Sequence, residues 1–154
     1  MTEILLPLAI IALLILLNGV FVAAEFALVM APKVTIARLA AEGHRAGRLL
    51  EKVLADPRLQ DRYIATAQLG ITLASLGLGM YGEHVLAEWI AAGLAAVGAA
   101  SWFGAHALAS VLSVALLTYL HIVLGEMIPK SLALQNPKSA AMVLARPLQL
   151  AQLA

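Results

Sequence analysis

The sequence predicts an all-α integral membrane domain: three transmembrane helices, a short re-entrant or interfacial helix between the second and third, and amphipathic juxtamembrane helices on the cytoplasmic side. Three observations lead there. The 154 residues are 62% hydrophobic, with a mean hydropathy of +0.93 and only 12% charged residues, where a soluble domain carries ~25%. Three apolar runs approach or exceed the ~20 helical residues that a bilayer demands. The basic residues are segregated. Lys33, Arg38, Arg45, Arg48, Lys52, Arg58 and Arg62 lie between the first and second runs, Lys130, Lys138 and Arg146 follow the third, and residues 81–105 hold none. The positive-inside bias then places both basic segments in the cytoplasm and the N-terminus outside, which requires an odd number of crossings.

The elements follow in order. Residues 4–31 are almost unbroken apolar, too long and without the basic start of a cleaved signal peptide, so they read as a retained first span with Pro32 as its stop. Residues 34–54 interleave Val34, Ile36, Ala37, Leu49, Leu50, Val53 and Leu54 with basic residues. That is the pattern of short amphipathic helices lying on a leaflet, hinged near Gly43 and Gly47 and ended by Asp56-Pro57. Residues 63–80 form a second, shorter and more polar span. Within residues 85–100, the continuous apolar stretch 89–100 is close to the ~10–14 residues of a re-entrant or interfacial piece. Residues 105–128 are the third span. Asn136-Pro137 opens another amphipathic segment, interrupted by Pro147, whose pattern is still running at Ala154. The transmembrane domain is therefore assigned to 1–135 and the start of a truncated juxtamembrane segment to 136–154.

Polar groups inside the spans locate the chemistry, because a carboxylate at the centre of a membrane helix costs ~2.5–3.5 kcal/mol on insertion scales. The run Gly125-Glu126-Met127-Ile128-Pro129-Lys130 sets a carboxylate beside a helix breaker. Pro129 has no N–H to give the carbonyl four residues back, so Gly125 should present a freed carbonyl next to Glu126. In the first span Glu25 lies seven residues after Asn18, on one helix face, and Pro32 should free the Leu28 carbonyl on that same face. In the second span Gln68, Thr72, Ser75 and Gly79 form a polar seam at i, i+4, i+7 and i+11. In the third, Thr118 and Ile122 precede Glu126, with Ser110, Ser113 and His121 on an adjacent line. Such oxygen donors select hard cations such as magnesium, with sodium and protons equally open. With no cysteine there is neither a disulfide nor a thiolate site. The five-residue spacing of His121 and Glu126 does not suit a histidine zinc site on an α-helix. Plainer readings stand beside these. Glu126 could pair with Lys130 and Glu25 with Lys33, and the seam could be hydrogen-bonded helix packing.

Three stretches carry a resemblance: Asn18-Gly-Val-Phe-Val-Ala-Ala-Glu25-Phe-Ala-Leu, Thr66-Ala-Gln-Leu-Gly-Ile-Thr-Leu-Ala-Ser-Leu-Gly77, and Gly125-Glu-Met-Ile-Pro-Lys-Ser-Leu-Ala-Leu134. In this order, and covering nearly the whole chain, they resemble the transmembrane domain of the CorC/CNNM family, especially its bacterial hemolysin-like branch. The resemblance implies three spans with a juxtamembrane belt, a homodimer through the membrane helices, and magnesium bound between the helices as the transported ion. It also implies a cytosolic pair of ATP-binding CBS modules in the full-length protein, absent from this segment, for which no organic cofactor is expected. Glu126, with Gly125 beside it, matches the glutamate of the family's Gly-Glu-x-x-Pro-Lys motif. The family's first-helix serines fall on Val22 and Ala24, and its second-helix asparagines near Ile71, Thr72 and Ser75. Thr72 and Ser75 are then the second-helix donors, and Gln68 and Asn18 the replacements for what is missing.

The implied function is magnesium or other divalent cation transport across the cell's inner (cytoplasmic) membrane, in the direction of efflux and coupled to sodium. The metal-ligand candidates are Glu126, Gly125, Ser75, Thr72, Gln68 and Glu25. The partners are the lipid bilayer, a second copy and the CBS modules, with no nucleic acid. A non-transporting regulatory or anchoring membrane module, or transport of a different hard ion such as sodium, is the alternative. A lytic pore would need a water-filled lumen, and an enzyme would need a nucleophile and base pair that does not stand out.

Overall fold

The computed structural model of the chain describes residues 2–96 and 102–152, with side chains from 4–96 and 106–152. Among the described residues there is no strand, and three helical stretches are long and apolar enough to cross a membrane: Ile4–Val29, Pro57–Ala96 and His106–Gln135.

Helix α1 (Thr2–Val29) has 28 residues, about 42 Å at ~1.5 Å per residue, enough for a hydrocarbon core of ~30 Å. Leu5, Leu6, Leu13, Leu16 and Leu17 are exposed along it, as lipid-facing side chains must be. Pro32 ends the helix without freeing Leu28, whose carbonyl accepts from the Ala31 N–H at 3.1 Å.

Helices α2 (Lys33–Ala41) and α3 (Arg45–Ala55) are the amphipathic pair. They bury Ile36, Leu39 and Ala40 on one and Gly47, Leu50 and Val53 on the other, the three- and four-residue spacing of a single face. The hinge is Gly43 alone, at φ +91°, a left-handed conformation that glycine adopts without strain. Gly47 is not a hinge but a packing residue inside α3. A Cβ there would lie 3.0 Å from the Ala40 nitrogen, so its absence lets the two helices approach backbone to backbone.

Asp56 stops α3 and starts α4 (Pro57–Gly77), its carboxylate accepting from the Arg58 N–H at 2.9 Å with Pro57 in the first turn. The second helix thus begins six residues before the sequence suggested, because Arg58, Asp61 and Arg62 ride on its solvated foot. It runs through a π-helical turn, Leu78–Gly82, into α5 (Glu83–Ala96). A straight helix of 40 residues would measure about 60 Å, twice the hydrocarbon core. Past its solvated foot, the rest of α4 together with the π turn, residues 63–82, reaches about 30 Å, enough to span, and α5, whose 14 residues cover only about 21 Å, follows. Residues 97–100, the end of the expected interfacial stretch, lie outside the described residues.

Helix α6 (Trp102–Leu120) packs on α5 and passes through a second π-helical segment, His121–Met127, into α7 (Ile128–Gln135). Pro129 therefore does not break the helix. The wider turn before it takes up the missing N–H, and Pro129 sits in the first turn of α7. Pro147 likewise lies inside α8 (Pro137–Ala151), which runs on through it and buries Ala141, Ala145 and Leu148.

Two apolar clusters hold the domain. One gathers Ala24, Ala27, Leu28, Ile36, Leu50, Val53, Tyr63, Ala67, Ala133, Ala141, Ala145 and Leu148, so that α2, α3, α7 and α8 close around the basic end of α1 and α4. The other, Ile11, Ile15, Leu78 and Leu117, joins α1, the π-helical turn after α4, and α6 at the opposite end. Between Ile15 of one and Ala24 of the other lies Asn18.

Candidate functional site

Asn18 is 1% exposed on α1, in a span that is otherwise almost wholly apolar. Its carboxamide is held from both sides. Nδ2 donates to the Gly125 carbonyl at 2.8 Å, and Oδ1 accepts from the Ser75 hydroxyl at 3.2 Å. The His121 Nε2 is 3.4 Å from the same hydroxyl. Ser75 has a single proton, given to Asn18, so His121 Nε2 is the donor in that contact and Ser75 the acceptor. One asparagine thus joins all three spanning helices through four polar groups.

The local sequence explains the arrangement. Pro129 removes the N–H that would satisfy the Gly125 carbonyl in an α-helix, and the Asn18 amide takes that place. Glycine at 125 leaves room for this contact, because a Cβ there would stand 2.9 Å from His121 Cδ2 and 3.2 Å from Asn18 Nδ2 and force these side chains to shift. Gly19 admits Pro129 in the same way: a Cβ on it would lie 2.8 Å from Pro129 Cγ. Gly70 receives the Phe21 ring, which would meet a Cβ at 2.5 Å. These two glycines let α1 approach α7 and α4 closely enough for Asn18 to reach across.

The other expected residues fall around this cluster. Ser75 and Gly125 are in it. Thr72 is exposed, and its hydroxyl bonds back to the Gln68 carbonyl at 2.9 Å. Gln68 is exposed one turn further from Asn18, so of the two replacement donors only Asn18 joins the cluster. Glu126 is exposed on the π-helical segment and makes neither hydrogen bond nor ion pair among the described residues. Its expected neighbour Lys130 instead sets its Nζ 4.4 Å from the centroid of the Phe26 ring, a cation–π contact. Glu25 is half-buried and pairs with no described residue, Lys33 included. Seven residues along α1 place it ~10 Å from Asn18 on the basic side. Val22 and Ala24, 3% and 1% exposed, are packed into apolar surroundings and offer no ligand atom. Asn18 lies one turn before Val22 on the same face, so the oxygen missing at Val22 is present a turn away.

The sequence reading set His121 on an adjacent line without giving it a place in the site, and it missed Glu83. His121 enters the cluster because the π-helical segment brings it over Gly125, a register that α-helical spacing hides. Glu83 accepts from the Ser110 hydroxyl at 2.8 Å, while the buried Ser113 donates to the Ser110 carbonyl at 2.9 Å. Thr72, Ser75, Gly79 and Glu83 line one groove of about 500 Å³. Glu83 was there to be found as the next member of the seam, four residues beyond Gly79. Among the described residues no group of three or more His, Asp or Glu side chains could hold a metal ion. The cluster therefore offers amide, hydroxyl and carbonyl oxygens rather than a carboxylate cage.

Comparison with known proteins agrees along almost the full chain. The family model described as the cyclin M transmembrane N-terminal domain matches residues 9–154. The UPF0053 proteins YhdP and YhdT of Bacillus subtilis are 35% identical over 141 residues and 36% identical over 143, covering 92% and 93% of this chain. YrkA of the same organism is 37% identical over 141 residues. The chain spans about a third of these relatives, 31%, 30% and 32% of their lengths.

Proposed function

Because this chain belongs to the cyclin M transmembrane-domain family and is a multi-pass membrane protein, we propose that it carries a hard divalent cation, magnesium first, across the cell's inner membrane. The observation that carries this reading is the Asn18 cluster, in which one buried amide ties the Gly125 carbonyl, Ser75 and His121 together at the meeting of three spans. Buried polar groups in lipid are costly and cluster where ions pass. Gly125, Ser75 and Asn18 supply hard oxygens, the donor class that magnesium takes. The ion here is cargo.

Glu126, one residue from Gly125 and without a partner among the described residues, gives the only carboxylate adjoining the cluster in sequence and attracts the cation from the surface. Thr72 and Gln68 lead along α4 towards the basic side, and Glu25 does so along α1. We take the two basic segments to face the cytoplasm, the direction to be efflux with sodium as the coupling ion, and the working unit to be a homodimer. Full-length relatives extend well beyond this segment, and regulation by a cytosolic part belongs to that remainder. The Ser75 hydroxyl touches His121 but gives its proton to Asn18, so we read the pair as structural, and a transporter-type domain is not expected to be an enzyme. The second reading, an anchoring or regulatory module, draws on the exposure of Glu126 and on the absence of any carboxylate inside the cluster among the described residues.

Isothermal titration of the detergent-purified protein with magnesium, with calcium and sodium as competitors, decides between them. Saturable heat that is lost in Glu126→Ala and in Asn18→Ala is the expected result. Heat unchanged in both variants would remove the site, and no heat from the folded wild type, with sodium also silent, would leave the anchoring module.

A further inference from the structure

A second feature lies at the opposite end of α4 from the Asn18 cluster and shares no residue with it. At the foot of this helix a cavity of about 540 Å³ opens between α3, α4 and the end of α8. Helix α3 lines it with Arg45, Arg48 and Lys52, spaced three and four residues apart and so on one face. Helix α4 contributes Tyr63, α8 contributes Gln149, and Gln152 follows just beyond the end of α8. The Gln152 carbonyl accepts from the Arg62 guanidinium at 3.4 Å, which brings a fourth cation to the rim.

Two independent observations point towards a ligand for this cavity. First, none of Arg45, Arg48 and Lys52 is in an ion pair; among the described residues the pairs are Arg38–Glu42 and His84–Glu88. Glu51 and Asp61 stand nearby in sequence and neutralise none of them. Second, Tyr63 is 1% exposed, and its hydroxyl is the buried side-chain polar atom left without a hydrogen-bond partner among the described residues. A native buried donor almost always has an acceptor, so the site lacks an oxygen that a ligand or water must bring. Two arginines, a lysine, a tyrosine and two glutamines lining one space fit a tetrahedral oxyanion, since guanidinium pairs with phosphate through two parallel bonds. Leu49, Val53 and Leu59 line the same cavity and accept an apolar portion.

We propose that this cavity binds a phosphate group, with Arg45, Arg48 and Lys52 meeting its charge and the Tyr63 hydroxyl donating to one of its oxygens. The phosphate comes either from the headgroup of an anionic phospholipid or from a soluble phosphate. The position at the basic end of a spanning helix, with apolar residues in the wall, suits the lipid.

The test measures thermal stability of the protein in nanodiscs of phosphatidylcholine alone, in nanodiscs containing phosphatidylglycerol, and in phosphatidylcholine with inorganic phosphate added. A stabilisation by phosphatidylglycerol that is reduced in Tyr63→Phe and abolished in R45Q/R48Q assigns the lipid. The same pattern with inorganic phosphate assigns the soluble ligand. Loss of one hydrogen bond to a charged oxygen in Tyr63→Phe should weaken apparent affinity about 10-fold or more. Should the double variant fail to fold, Lys52→Gln and Tyr63→Phe carry the comparison. Stability that is equal in all three settings, or a shift as large in the variants as in the wild type, overturns the proposal and leaves a buried water as the partner of Tyr63.

Discussion

Asn18 lets one substitution be read in two ways. In Asn18→Ala the Gly125 carbonyl and the Ser75 hydroxyl lose their partner inside a buried layer, which should cost ~1–3 kcal/mol. A lowered thermal midpoint, together with loss of magnesium heat, is the expected pair of results. Gly125→Ala acts differently, since its Cβ would press on His121 and Asn18 at 2.9 and 3.2 Å. It should abolish ion binding, with a loss of stability of about 1–3 kcal/mol from overpacking, measured by the same titration and melt. Glu83→Gln keeps the bond from Ser110 but removes the charge from the groove of Thr72 and Ser75; slowed ion flux in proteoliposomes with an unchanged melt is expected. At this scale the sequence was partly transparent. Gly125, Ser75 and Asn18 stood out as polar atoms in apolar runs, and they are the atoms that meet. His121 did not, because its approach depends on a turn wider than any propensity encodes. The exposure of Thr72, Gln68 and Glu126 was equally hidden, since a stripe on a helix fixes a face but not what covers it.

Helix boundaries turn on how proline is accommodated. Both Pro129 and Pro147 read as stops, yet each lies within a continuing helix, Pro129 behind a π-helical segment and Pro147 in the amphipathic α8. If the wide turn exists to absorb the missing N–H, Pro129→Ala should allow an α-helical bond to the Gly125 carbonyl and compete with the Asn18 amide. The expected outcome is a protein as stable as the wild type or more so that binds magnesium weakly, which the melt and titration separate. Packing of α1 on α4 has its own test. Gly70→Val would push its whole side chain into the Phe21 ring, which lies only 2.5 Å from where a Cβ would stand, and should cost about 1–3 kcal/mol. The amphipathic pair α2–α3 was fully legible from its interleaved charges, and so was the glycine turn between them. Gly47 misled because glycine signals both bends and close packing, and only the neighbouring helix decides which.

At the scale of the whole molecule, the charge asymmetry makes a topological prediction that the absence of cysteine renders simple to check. Glu42→Cys and Glu88→Cys, both at exposed positions, should be labelled from opposite sides of the membrane in intact cells, Glu42 from within and Glu88 from without. Labelling from one side alone would change the number of crossings. The three-span count was visible in the sequence because hydropathy and charge are additive along a chain, whereas the joining of α4 to α5 without a break was not, since the apolar run reads as ending at residue 80, before the polar Glu83 and His84. The two wide turns have a further consequence. A π turn is geometrically an α-helix with one residue inserted, and each inserted residue swings everything beyond it by about 100° around the axis. Helix α7 therefore meets α1 with a face that an uninterrupted helix would have aimed elsewhere, and removing a single residue between His121 and Gly125 would rotate Pro129 out of the Gly19 notch. Chain length in this segment, as much as side-chain identity, tunes the domain, so a one-residue deletion there should be more damaging than most substitutions.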